Sequence, residues 1–204
     1  MKLYDISTQI NNKTIVYKNN PKPKINNYSK TPKNKTNESL ICIGSHTGTH
    51  FDSQLHIKQN GWSSASINLN SFYGKAIVID LINCKNEINE EDLKKYKIHK
   101  NQIILLKTKN SNLENHKFIT NYVHLGISGA KYLIKLKVKA VGIDYLSIEK
   151  FNSNLSVHKE LLNKKIVIFE GLKLNKIHEG NYIFIGFPLS LDIDAAPLRA
   201  VLMK

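Results

Sequence analysis

Within "GSHTGTHFDSQLHIKQNGW", from Gly44 to Trp62, three of the chain's eight histidines and an aspartate fall in eleven residues: His46, His50, Asp52 and His56. Neutral imidazole and carboxylate together suit zinc, manganese or iron(II), and a mixed nitrogen and oxygen set is not that of a dedicated calcium site. All four occupy even positions, so an extended chain would turn them to one side. A straight strand would still spread His46 and His56 over roughly 33 Å, at about 3.3 Å per residue. Ligands of one zinc ion must each approach to about 2.0–2.2 Å. The backbone must therefore bend, and Gly48 is the residue that permits it. Gly48 between the β-branched Thr47 and Thr49 argues against a helix, and the pattern is not HExxH. Without a metal, the stretch would be a polar loop whose histidines meet backbone groups or solvent.

Further along, the stretch has company. His158 stands at the start of "SVHKELLNK", which reads as a short helix beginning after Ser156. Glu170 ends the apolar run "KIVIFE", and a carboxylate there needs a partner. Strand ends are also where α/β folds display chemistry. Asp144, following the strand "KAVGI", suits a substrate-side role or a turn cap. His99, His116 and His178 lie in Lys- and Asn-rich surroundings typical of exposed turns, while His124 in "NYVHLGIS" follows two apolar-bodied residues and could approach the site.

"HTGTHFDSQLH" closely resembles the HxGTHxDxPxH signature of the cyclase family, which includes metal-dependent kynurenine formamidases (arylformamidases) and isatin hydrolases. The resemblance runs along nearly the whole chain. "LYDIS" resembles the family's opening strand and "GIDYLSIE" a strand ending near the site. "SVHKELLNKKIVIFEGL" resembles the downstream His-to-Glu segment, and "FPLSLDIDAAPLRAVL" the terminal segment with its D-G-S-P-x-R-type motif. It implies His46 and His50 on one metal, Asp52 bridging to a second, His158 on that second metal and Glu170 bridging both, with His56 as proton donor and acceptor. The implied cofactor is one or two divalent ions per subunit, zinc first and manganese as the alternative. The implied activity is hydrolysis of a small amide C–N bond in a homodimer or larger homo-oligomer. The chain departs from the family pattern at Gln54, where the family has proline, and at Ala195 and Ala196, where it has Gly and Ser. Its early loop "VYKNNPKPKINN" lacks the Trp and Gly-Asp of the formamidases, leaving Tyr17 and Tyr28 as candidate aromatic residues.

The elements that must position these groups follow from the remaining pattern. At 204 residues, with 41% hydrophobic and 23% charged residues, the chain suits a single domain spanning 1–204. "LYDIS", "ESLICIG", "GKAIVIDL", "QIILLKT", "KAVGIDYLSIE", "KIVIFEGL" and "YIFIGFPLSL" read as strands. "NEEDLKKYK", capped by Asn89, "SGAKYLIKLK", capped by Ser128, and "SVHKELLNK" read as helices. Alternating strands and short helices predict an α/β fold with a mixed, largely buried sheet flanked by short helices. The family resemblance implies its swivelling β/β/α form. Residues 11–37, rich in Asn, Lys and Pro, read as a long irregular excursion apart from a short "TIVY".

The formal charge of +14 raises a nucleic-acid reading. Arg199 is the only arginine, however, and the lysines are scattered; bidentate phosphate and base recognition favour arginine. A lysine-rich solvated surface with no nucleic-acid partner is expected instead. Arg199 itself suits pinning the C-terminal segment, or a carboxylate clamp. No apolar run approaches a membrane span and the N-terminus lacks a signal-peptide pattern, so a cytoplasmic protein is expected. Cys42 and Cys84 have no metal-type spacing and are expected as buried thiols. A metal- or small-molecule-binding protein without turnover is the main alternative.

Overall fold

Four buried strands set the centre of the fold, and their side-chain alternation decides what faces what. In the computed structural model, which describes residues 1–113 and 117–204, the strands are β1 (Leu3–Asp5), β2 (Lys24–Ser29), β3 (Glu38–Cys42), β4 (His50–Asp52), β5 (Tyr73–Leu81), β6 (Glu87–Ile88), β7 (Ile103–Thr108), β8 (His124–Leu125), β9 (Ala140–Ile143), β10 (Val167–Glu170), β11 (Gly180–Ile185), β12 (Ala195–Pro197) and β13 (Val201–Met203). Three α-helices accompany them among the described residues: α1 (Glu90–Leu93), α2 (Ile127–Lys135) and α3 (Ser156–Asn163). Nine strands form one sheet in the order β1-β13-β11-β5-β7-β9-β10-β4-β12. Its centre, β5-β7-β9-β10, is parallel. Antiparallel strands extend it on both sides. The predicted mixed α/β sheet is therefore present.

Because successive strand residues point to opposite faces, each central strand feeds two cores. Ile77 and Ile79 of β5, Ile104 and Leu106 of β7, and Ile168 of β10 join Leu133 of α2 and Leu161 of α3. Val78, Leu105, Val167 and Phe169 point the other way, with Phe51 of β4, Phe184 of β11 and Leu202 of β13. Strands from both ends of the sheet order thus share this second cluster, which requires the sheet to curl around it. Aromatic packing fills the curl: Phe51 meets Phe72 at 4.7 Å between ring centroids, and Phe169 stacks on Phe184 at 4.8 Å.

Several expectations are corrected. Residues 11–37 are not wholly irregular: β2 lies within them and pairs with β3 as a separate two-stranded sheet, while "TIVY" forms no strand. Polar pairs support this hairpin, including Ser39 Oγ donating to Asn27 Oδ1 at 3.0 Å and Ile25 N donating to Asn12 Oδ1 at 2.6 Å. All five β3 residues are exposed, so Cys42 is an exposed thiol rather than a buried one. The N-cap of α2 is Gly126, not Ser128. Ser128 instead donates to Asn89 Oδ1 at 2.8 Å, tying α2 to the start of α1. Asn89 does form a capping box, but α1 lasts one turn because the chain then carries Tyr96 and Ile98 onto the core.

Candidate metal centre

The register of β4 against β10 builds the centre. Phe51 pairs with Phe169 and both enter the aromatic core, so the flanking residues emerge on the opposite face: His50 opposite Glu170, and Asp52 opposite Ile168. On its other edge β4 pairs with β12, Asp52 facing Ala195 and His50 facing Pro197. The bend required at Gly48 is present, at φ +70°. A second left-handed glycine, Gly171 at φ +68°, follows Glu170 and lies so close that a Cβ there would sit 2.3 Å from the Gly48 oxygen. Thr49 Oγ1 and Thr8 Oγ1 both donate to the Gly171 oxygen, at 2.6 and 2.8 Å, locking the two bends together.

Around Asp52, which is fully buried, three imidazoles converge. His46 Nδ1 lies 3.0 Å from Asp52 Oδ1, His50 Nε2 3.4 Å from Oδ1 and His158 Nε2 3.5 Å from Oδ2. Glu170 closes the ring, with Oε2 at 3.4 Å from His50 Nε2 and Oε1 at 3.3 Å from His158 Nε2. The far nitrogen of each histidine is held by an acceptor. His50 Nδ1 meets the Gly48 oxygen at 3.0 Å, His158 Nδ1 meets Glu149 Oε2 at 2.7 Å, and His46 Nε2 meets Asp194 Oδ2 at 2.8 Å. Each near nitrogen is thereby left to offer a lone pair.

Neither oxygen of Asp52 meets a donor in hydrogen-bond geometry, despite its burial and three ring nitrogens 3.0, 3.4 and 3.5 Å away. Leaving both oxygens of a buried carboxylate without hydrogen bonds is costly. Donor atoms about 2.0–2.2 Å from one ion in a tetrahedral array sit roughly 3.3–3.6 Å apart, close to the separations found here. The residues fit a divalent cation. Two overlapping donor groups share Asp52: His46, Asp52 and His56, and His50, Asp52 and Glu170, each with ligand atoms within 4.8 Å of one another.

The electrostatics describe the same cluster from the proton's side. Burial opposes charge on His46 and His50, yet the neighbouring carboxylates more than offset it and hold them at about 9 and about 10. Burial likewise opposes charge on His158, but Asp52, Glu149 and Glu170 hold it well above its ordinary value. Asp52 is held well below the usual range by the histidines in spite of burial, and Glu170 is lowered by His158 and His50 against the cost of burial and of Asp52's charge. The three histidines hold protons that a cation would displace. His56 differs: burial lowers its proton affinity, and the charges of His46 and His158 add to that against the pull of Asp52.

The structure thus brings His46, His50, Asp52, His56, His158 and Glu170 together. Gln54, in place of the family's proline, opens the short turn Gln54–His56 and donates from Nε2 to Asn163 Oδ1 at 2.9 Å, tying that turn to α3. Asp144 stays outside the cluster, accepting from Thr108 N and Ser111 N at 2.8 and 3.1 Å. Burial pushes it up to about 6 against those donors. His124 contacts Glu87 at 3.3 Å. His99 and His178 are exposed, and His116 lies outside the described residues. Arg199 holds Asp5 of β1 through two nitrogens, at 3.0 and 2.6 Å, pinning the C-terminal segment. Sequence reasoning missed Glu149 and Asp194. Glu149 does not stand out by spacing, since it precedes a lysine in an ordinary loop, whereas Asp194 opens the "DAAPLR" motif, a signal that carried no assigned role.

The family model "Putative cyclase" matches residues 4–150. The chain belongs to the cyclase family. It is 31% identical over 209 residues to a kynurenine formamidase of Salinibacter ruber, covering 99% of this chain and 97% of that one. A solved structure described as a "potential metal-dependent hydrolase with cyclase activity" is 34% identical, with a TM-score of 0.89 over 98% of this chain and 96% of its own. An isatin hydrolase bound to thioisatinate shares the fold, at a TM-score of 0.86, 17% identity and coverage of 98% and 91%.

Proposed function

We propose that this cyclase-family protein is a metal-dependent hydrolase of a small, non-peptide amide C–N bond, of arylformamidase type. In this reading His46, His50, Asp52, His158 and Glu170 hold one or two divalent ions, and His56 carries the proton. The observation that carries it is Asp52, buried without a hydrogen bond at the meeting point of three oriented imidazoles. The mixed imidazole and carboxylate set favours zinc, with manganese as the alternative.

A bound ion supplies Lewis acidity and a nucleophilic water at neutral pH. The chain's own residues supply the rest. His56, 28% exposed at the rim, lies 4.3 Å from the His46 ring and 5.7 Å from the His158 ring. With its proton affinity lowered, its imidazole is available in neutral form to accept a proton and return it to the departing nitrogen. An amide nitrogen leaves poorly without that proton. Full burial of His50 and Asp52 excludes bulk water behind the centre. The formamidase-type aromatic loop residue is absent, but Tyr17 packs on Phe118 at 4.8 Å and on Phe151 at 5.9 Å. Phe118 in turn meets Tyr145, whose carbonyl accepts from Gly171 N beside Glu170. That cluster supports an aryl substrate and favours Tyr17 over Tyr28, which stands 66% exposed on the hairpin.

The substrate-class test is an absorbance assay of N-formylkynurenine and of isatin with protein loaded with zinc or manganese. Hydrolysis of the formamide, abolished by a chelator, is expected. Bound metal with no turnover across formamides, lactams and esters would leave a binding protein instead. Among the described residues no helix is long and apolar enough to cross a membrane. The proposal places the enzyme in the cytoplasm as a homodimer or larger homo-oligomer.

A further inference from the structure

Two carboxylates outside the cluster touch its histidines. Glu149 is buried and serves His158, receiving both its Nδ1 contact at 2.7 Å and its backbone N–H at 3.2 Å. Asp194 is arranged differently. A single oxygen, Oδ2, lies 2.8 Å from His46 Nε2, 3.9 Å from His56 Nδ1 and 3.3 Å from Ser45 Oγ. At 2.8 Å the first is a hydrogen bond, and at 3.9 Å the second is a neighbouring contact longer than one.

The place of Asp194 is fixed by the same backbone that fixes Asp52. Its carbonyl accepts from Ser53 N at 2.9 Å and from Ser53 Oγ at 2.8 Å. The next residue, Ala195, pairs with Asp52 across β12 and β4. The preceding Ile193 carbonyl accepts from Ser64 N at 2.9 Å. A shift of Asp194 relative to Asp52 would break this ladder. The one-residue offset between Asp194 and Ala195 thus puts a carboxylate on the outer side of His46 while the sheet holds Asp52 on its inner side. His46 lies between the two carboxylates, with its nitrogens 3.0 and 2.8 Å from them.

We propose that Asp194 is a positioning residue shared by two histidines: it holds His46 with Nδ1 turned to Asp52, and it fixes the seat of His56 beside that ring. Accepting the Nε2–H of His46 leaves the lone pair on Nδ1, the nitrogen that faces Asp52. His56, whose ring lies 4.3 Å from His46, has its Nδ1 3.9 Å from the same oxygen. One carboxylate therefore couples a ligand of the centre to the group that moves the proton. The inference rests on the metal reading of the site.

Its test compares the wild type with Asp194→Ala and Asp194→Asn. Zinc affinity is measured by competition with a chromophoric chelator, alongside the unfolding midpoint of each metal-free protein. Asp194→Ala should weaken zinc binding roughly 10–100-fold. Asp194→Asn keeps an acceptor oxygen in place and should recover affinity to within several-fold, with the three midpoints close together. Equal affinity in Asp194→Ala and wild type, or an Asn variant as weak as the Ala variant, would overturn the assignment. Should the wild type take up no zinc, the functional reading falls by itself. The positioning role is then decided by a metal-free crystal structure of Asp194→Ala. Displacement of His46 Nδ1 from Asp52 upholds it, and retention of the 3.0 Å contact overturns it.

Discussion

Replacing Gly171 with alanine probes the joint on which the centre is built. The residue sits at φ +68°, and its new Cβ would lie 2.3 Å from the Gly48 oxygen, 2.9 Å from the Gly48 carbonyl carbon and 3.3 Å from Thr49 Cα. All three are backbone atoms, so no side chain can swing aside. The left-handed conformation costs alanine about 1–2 kcal/mol. Overpacking against fixed backbone adds about 1–3 kcal/mol, for a total of about 2–5 kcal/mol. With a mid-range urea slope of about 2 kcal/mol per molar, the unfolding midpoint should fall by roughly 1–2.5 M. Gly180→Ala is the internal control: at φ +138° it meets nothing within 4 Å and carries only the conformational cost. The clash also pushes on the carbonyl that orients His50 at 3.0 Å, so Gly171→Ala should weaken zinc binding and Gly180→Ala should not. Urea unfolding of the metal-free proteins and chelator competition measure the two effects. Equal midpoints for the two variants, with unchanged zinc affinity, would refute the claim that the two bends are mutually locked.

Other perturbations separate the roles of neighbouring groups. Glu149→Ala removes the acceptor of His158 and should cost roughly 10–100-fold in zinc affinity, with Glu149→Gln restoring part of it in the same chelator competition. His56→Ala should retain the metal content of the wild type and lose formamide hydrolysis; full activity would rule out its proton-carrying role. Asp144 titrates at about 6 in the folded chain because burial raises it from 3.8. Between those values the native state binds more protons than the unfolded chain, so its contribution to stability falls as pH rises from about 4 to about 6. Asp144→Asn should remove that slope, read as the difference in unfolding midpoints of variant and wild type at pH 4.5 and pH 7. A difference that does not change with pH would contradict the assignment.

The parts of this fold legible in the sequence are those where local pattern and tertiary demand agree. "GKAIVIDL", "QIILLKT" and "KIVIFE" are continuous apolar runs because both faces of β5, β7 and β10 are buried. The histidine stretch is legible for a similar reason. Alternation around Phe51 sends His50 and Asp52 to one face, and Gly48 is the only glycine placed to bend the chain between His46 and His50. The β2–β3 hairpin was hidden because Asn27, Asn12 and Ser39 hold it by polar contacts, so "KINNYS" shows no apolar signal. Glu149 and Asp194 were hidden because a carboxylate's choice of partner is made by tertiary placement. Asp194 meets His46 across 148 positions of chain, and no spacing within the sequence encodes that meeting.

Crystals soaked in zinc and measured on both sides of the zinc absorption edge test the central claim most directly. The account predicts anomalous density between Asp52 and the near nitrogens of His46, His50 and His158, within ligand distance of Glu170. Zinc found only at surface sites, with Asp52 still ringed by imidazoles and no ion among them, would contradict it.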